Sequence, residues 1–200
     1  MRYQYPLEMS FKIVALTPQF FLRDAQGREL MYVRQKMFKL REDISVFSDS
    51  SKQQQIYTIR ADRIIDFSAR YSFTSNVNQQ NYGSVKRRGV ASLWSATYDI
   101  FDPNGQPRYF MKEADPWVKV ADGCFTSIPF LGFFSGYVFH PSYLINDVAT
   151  GQPVMRLTKQ PALFEGRFRC EAVNPHLSDY DEVLMLLSYM MMLLLERRRG

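Results

Sequence analysis

The chain has 200 residues, of which 46% are hydrophobic, 22% charged and 15% aromatic, with a formal net charge of +5. That length and balance exclude a solvated disordered tail and a miniprotein that needs staples, because a chain this long buries a core without disulfides or metals. The two cysteines, Cys124 and Cys170, lie in no CxxC and beside no histidine, which excludes a patterned zinc site and reads as reduced thiols in a cytoplasmic compartment.

In chain order, Met1 to Lys12 carries no apolar h-region, so no secretory signal is expected. Ile44–Phe47 and Gln55–Arg60 read as short strands, with Ser48 to Gln54 a loop between them. The strongest strand signal is Ile65 to Phe73, where apolar and polar residues alternate as they do on a strand with one buried face. Thr74 to Ser92 reads as a long polar loop. Trp94, Ala96, Tyr98 and Ile100 alternate again, and this strand could pair with the previous one as a neighbour. Leu30, Val33, Met37, Leu40 and Ile44 also satisfy helical spacing, so periodicity leaves Glu29 to Arg41 open between helix and strand.

Three segments share one plan. Phe20-Phe21-Leu22-Arg23-Asp24 runs to Gly27, Tyr98-Asp99-Ile100-Phe101-Asp102 to Gly105, and Tyr143-Leu144-Ile145-Asn146-Asp147 to Gly151, each followed by another apolar stretch. Aspartate can hydrogen-bond the turn backbone and glycine supplies positive φ, so these are three β-hairpins. A set of hairpins at unequal spacing predicts a barrel or sandwich and not a solenoid.

Gly123 to Asn146 carries no charge but is broken by Pro129, Gly132, Gly136 and Pro141. It reads as buried strands and turns. The alternative is an exposed patch of Phe125, Phe130, Phe133 and Phe134 that meets a partner or a membrane surface.

The run Val183 to Leu195, VLMLLSYMMMLLL, has no charge, proline or glycine and is rich in helix formers. Ser178 with Asp181 starts it like a capping box, Asp179, Asp181 and Glu182 suit the positive end of the helix dipole, and Arg197 to Arg199 suit the other end. A helix apolar on every side is buried on every side. Thirteen residues rise about 20 Å, short of the roughly 30 Å hydrocarbon core of a bilayer, so a core helix over about 179–198 is predicted in preference to a membrane anchor. No transmembrane span is expected.

The stretch FFLRDAQGRELMYVRQKMFKLREDISVFSD, Phe20 to Asp49, resembles the opening of the LURP-one-related proteins, with their D-x-x-G turn and following YVRQK…LREDISVF-like segment. YDIFDPNGQP, YLINDVATGQPVMRL and the closing apolar helix are similar to the same family. The resemblance covers nearly the whole chain and implies a single domain over 1–200 with the fold shared by the tubby C-terminal domain and the phospholipid scramblases. That fold is mainly β, a closed twelve-stranded β-barrel enclosing a hydrophobic C-terminal α-helix. It also implies strands and no helix over Met31 to Phe47. Tubby relatives bind phosphoinositides and scramblases act on phospholipids, while the LURP-one branch has no settled biochemical activity. No tubby-type lipid motif can be matched here residue by residue.

Chemistry-bearing patterns are scarce. The histidines, His140 and His176, each sit beside proline with no cysteine or patterned carboxylate near them, and there is no phosphate loop, GxSxG or HExxH. No catalytic residue, metal ligand or cofactor is therefore expected. Lys86, Arg87 and Arg88, read as loop residues between Gly83 and Gly89, are the candidate for anionic headgroups. The expected function is a non-catalytic binding module for anionic phospholipid or phosphoinositide, cytoplasmic and peripheral to a membrane. A protein-interaction scaffold and an enzyme built from residues distant in sequence are the alternatives. Nucleic acid is disfavoured because the basic residues are dispersed. Oligomeric state stays open.

Overall fold

The computed structural model describes residues 2–12, 19–34, 43–63, 69–89, 97–114, 141–162 and 165–196. The strands are β1 (Leu7–Lys12), β2 (Gln19–Arg23), β3 (Glu29–Arg34), β4 (Ile44–Phe47), β5 (Gln55–Ala61) and β6 (Arg70–Ser75). They continue as β7 (Asn81–Arg87), β8 (Tyr98–Phe101), β9 (Pro107–Glu113), β10 (Ser142–Asp147), β11 (Pro153–Gln160) and β12 (Glu165–Ala172), followed by helix α1 (Asp179–Glu196). Each strand pairs antiparallel with its neighbour in sequence, and β1 pairs with β12 to close the barrel. Closure leaves none of the described strands with an unpaired edge, which removes the template for edge-to-edge association.

Alternation explains the wall. Tyr71 and Phe73 on β6, Val85 on β7 and Ile100 on β8 are buried inside, while Arg70, Ser72, Lys86 and Asp99 alternate with them toward solvent. α1 fills the space the wall encloses: every residue from Asp181 to Leu195 is buried. A helix with no polar face is stable only in such surroundings, where each leucine or methionine removed from water contributes about 2 kcal/mol. The two hydroxyls within the run are satisfied: Ser188 donates to the Leu184 carbonyl at 2.7 Å, and the Tyr189 hydroxyl lies 2.9 Å from the Tyr143 carbonyl and 3.0 Å from that of Met155. The Ser178 hydroxyl donates to Asp181 at 2.6 Å and accepts the Asp181 N–H at 3.1 Å, so the expected cap is formed. Arg197 to Arg199 lie outside the described residues. No helix among the described residues is long and apolar enough to cross a membrane.

The three hairpins with aspartate turns are β2–β3, β8–β9 and β10–β11. In each, one aspartate oxygen accepts two backbone N–H groups of the turn: those of Gln26 and Arg28 on Asp24, Asn104 and Gln106 on Asp102, Ala149 and Thr150 on Asp147. Gly27, Gly105 and Gly151 take φ of 80°, 79° and 69°, the left-handed region the turn requires. The last strand pair before each turn carries a bulge, at Leu22/Arg23, Ile100/Phe101 and Ile145/Asn146.

Two expectations need correction, and one left open is resolved. Thr74 to Ser92 is not a long loop, because β7 occupies Asn81–Arg87 and pairs with both β6 and β8. For the same reason β6 and β8 are not neighbours. The segment left open between helix and strand is strand over Glu29–Arg34, and Ile44–Phe47 is a strand as expected; 35–42 lie outside the described residues. Residues 64–68 and 90–96, the leading parts of the two predicted alternating strands, also lie outside them. β1 and β12, the pair that closes the barrel, carry no distinct signal in the preceding reading.

Candidate functional site

Among the described residues α1 occupies the interior, which turns attention to the outer wall and the ends of the barrel. The wall of β6, β7 and β8 is where the predicted basic triplet falls, and the strand divides it. Lys86 and Arg88 are two residues apart and share the outward side. Arg87, between them, points inward and is 3% exposed. A strand cannot present three consecutive side chains to one ligand.

Arg87 stands opposite Tyr98 across the β7–β8 ladder. The Tyr98 hydroxyl donates to Glu196 at 2.6 Å, at the C-terminal end of α1. Burial pushes the Tyr98 phenol well up, Glu196 pushes it further, and Arg87 pulls in the opposite direction, so the phenol stays a donor. Arg87 Nε is buried without a hydrogen-bond partner. This residue lies inside the wall, within electrostatic reach of the Tyr98 phenol that meets the helix end.

Outside, Lys86 has Arg70 as its Cα partner on β6 and Asp99 on β8. The Arg70 guanidinium stacks 4.0 Å from the Phe101 ring centroid, which fixes it over the wall. Arg88 continues the ladder through its N–H to the Thr97 carbonyl, and its side chain grips Asp99 through Nε at 3.1 Å and Nη2 at 2.6 Å. Next to these, Asp62 accepts the Arg70 N–H at 3.0 Å and pairs with Arg63 at 3.3 Å. Burial pushes the Asp62 carboxyl up, but the Arg70 N–H, Arg63 and Lys86 pull it below the usual carboxylate range. Among the described residues no carboxylate comes within ion-pair distance of Lys86 or Arg70. Four cations, Arg63, Arg70, Lys86 and Arg88, thus face two carboxylates, Asp62 and Asp99, on one stretch of wall.

Two clefts formed by described residues lie elsewhere. One of about 480 Å³ runs outside β1, β2 and β12, lined by Arg23, Arg167 and Arg169 among others. Its arginines are engaged by Glu29, Glu165 and Glu171. The other, about 300 Å³, lies between the β8–β9 and β10–β11 turns beside Arg108, which is tied to Asp181 at 2.9 Å. Cys170 is fully buried and its thiol pushed far up by burial, so it is no nucleophile. No cluster of three or more histidine, cysteine or acidic side chains among the described residues could hold a metal ion. Phe125, Phe130, Phe133, Phe134 and His140 lie outside the described residues.

Arg70 and Asp99 were not singled out by the sequence reading. Each occupies a polar position of an alternating strand, and only the register brings them beside Lys86. A period-2 reading continued through Tyr82 to Arg88 would have put Lys86 and Arg88 together on one side.

No protein-family model matches the sequence, and no curated protein matches it. Among solved structures, the X-ray structure of a protein from Arabidopsis thaliana is similar to this chain, with a TM-score of 0.50 over 96% of this chain and 93% of that one, at 15% sequence identity. A likeness at that identity extends to the fold.

Proposed function

We propose that this chain is a non-catalytic binding module of the LURP-one-related and tubby-like kind, which engages anionic phospholipid headgroups from the cytoplasmic side as a peripheral protein. The observation that carries the reading is the outward projection of Arg70, Lys86 and Arg88 from adjoining strands onto one net-positive patch. A filled barrel favours a ligand met at the surface over one swallowed inside. The earlier triplet changes membership: Arg70 joins Lys86 and Arg88, and Arg87 leaves for the interior.

Each basic residue held near an anionic leaflet contributes about 1 kcal/mol, so the patch supplies weak, salt-sensitive attachment. The test is co-sedimentation with phosphatidylcholine vesicles containing increasing anionic lipid, at low and at physiological salt. Binding is expected to rise with anionic lipid and to fall in a Lys86→Ala, Arg70→Ala double variant. Absence of binding to every anionic vesicle at low salt removes the proposal, and recovery of a stoichiometric protein partner in its place turns the reading to a scaffold.

A further inference from the structure

We infer that Asp99 sets which anions the basic wall accepts, by occupying Arg88 until a more highly charged headgroup displaces it. This rests on the lipid-binding reading above. Arg88 has the geometry that recognises phosphate, two N–H groups of one guanidinium edge on two oxygens. In the unliganded wall that edge is already filled: Nε and Nη2 both donate to the Asp99 carboxylate. The side chains are 63% and 22% exposed, so the pair lies at the surface where a ligand can reach it. Asp99 is also the Cα partner of Lys86, so the same carboxylate neighbours the second cation of the patch.

Charge counting gives the selectivity. A phosphodiester headgroup brings one negative charge, and replacing Asp99 on Arg88 with it exchanges one monoanion for another. The carboxylate is tethered and the headgroup is not, so Asp99 wins that exchange. A phosphomonoester carries about −1.5 to −2 near neutral pH and three acceptor oxygens. It brings more charge than it displaces and has oxygens left for Lys86, the cation across the ladder from Asp99. The wall is therefore a threshold detector for monoester phosphate on a lipid, with Asp99 as the specificity-determining residue.

The test compares wild type, Asp99→Asn and the Asp99→Asn, Arg88→Ala double variant on phosphatidylcholine vesicles containing either phosphatidylserine or phosphatidic acid. Wild type is expected to prefer phosphatidic acid. Asp99→Asn is expected to bind phosphatidylserine vesicles about fivefold more tightly, the factor one freed basic residue contributes at an anionic surface, with a smaller gain on phosphatidic acid. The double variant is expected to lose that gain. If no protein binds either vesicle, the parent reading fails. If wild type binds but Asp99→Asn does not differ, gains equally on both lipids, or keeps its gain without Arg88, the role of Asp99 fails while the lipid reading stands.

Discussion

The Glu182 carboxylate, fully buried at the start of α1, accepts the backbone N–H of Arg2 at 2.6 Å, tying together residues 180 positions apart. The Tyr3 N–H reaches the other oxygen at 3.4 Å. The segment before β1 therefore closes the end of the barrel where the helix enters, and the charge that would be costly to bury is held by backbone donors. Glu182→Gln keeps the shape but turns a charge-assisted acceptor into a half-matched amide. It is expected to lower unfolding free energy by about 1.5–3 kcal/mol in urea titration. Hydrogen exchange should speed up at the Arg2 and Tyr3 amides, and unchanged exchange there would show that the latch contributes nothing.

A second prediction concerns the seam. Gly166 on β12 faces Phe11 on β1, and a Cβ on Gly166 would fall 2.2 Å from the Phe11 ring. Gly166→Ala is expected to cost about 1–3 kcal/mol through overpacking. The same substitution in a Phe11→Ala background should cost much less, because the obstacle is gone. Equal costs in the two backgrounds, measured as a double-mutant cycle, would refute the contact as the cause.

Tyr189 offers a cleaner measurement inside the core. Its single hydroxyl proton is shared between two strand carbonyls, Tyr143 and Met155, and conversion to phenylalanine removes only the oxygen. Tyr189→Phe removes the one donor these carbonyls share and is expected to lose about 1–3 kcal/mol. Thermal unfolding indistinguishable from wild type would mean that water replaces the hydroxyl.

Acid sensitivity follows from the turn carboxylates. Burial pushes Asp24 up, but the N–H groups of Arg28 and Gln26 and the Arg28 guanidinium pull it below its usual value. Glu29 is lowered in the same way, with the Ser50 N–H and hydroxyl and Arg23 outweighing burial. A carboxylate depressed in the folded state stabilises the protein above its ordinary pKa, about 4, and that contribution disappears as pH falls through the lower folded value. Asp24→Asn is expected to be less stable than wild type at pH 7 and to lose less on acidification below about pH 4. Parallel stability curves for the two proteins would count against this assignment.

The legible parts of the fold were those with a chemical marker at the right place. Hairpins with aspartate and glycine announced themselves because both residues have their own bond or φ to supply. The β6–β7 turn does the same work with other residues. Ser75 Oγ accepts the N–H groups of Val77 and Asn78, and Gln79 takes a φ of 55° without being glycine. The β4–β5 turn likewise puts Lys52 at 60°. With those markers missing, β7 disappeared into a polar stretch, and the basic triplet lost the alternation that separates Arg87 from its neighbours. The helix was legible because an uncharged run of leucine and methionine admits few environments. The seam of β1 and β12 was not, since pairing between strands more than 150 residues apart in sequence leaves no local trace.

That seam also sets an order of events during synthesis. β1 leaves the ribosome first among the strands and can be paired on both sides only when β12, the last of them, has followed. The helix that supplies the interior is later still. Until residues near 195 are free, the growing chain is a curling sheet with an unfilled apolar face and two open edges, the state most exposed to mispairing with a neighbour. A product that stops short of α1 is thus a hazard out of proportion to the residues it lacks.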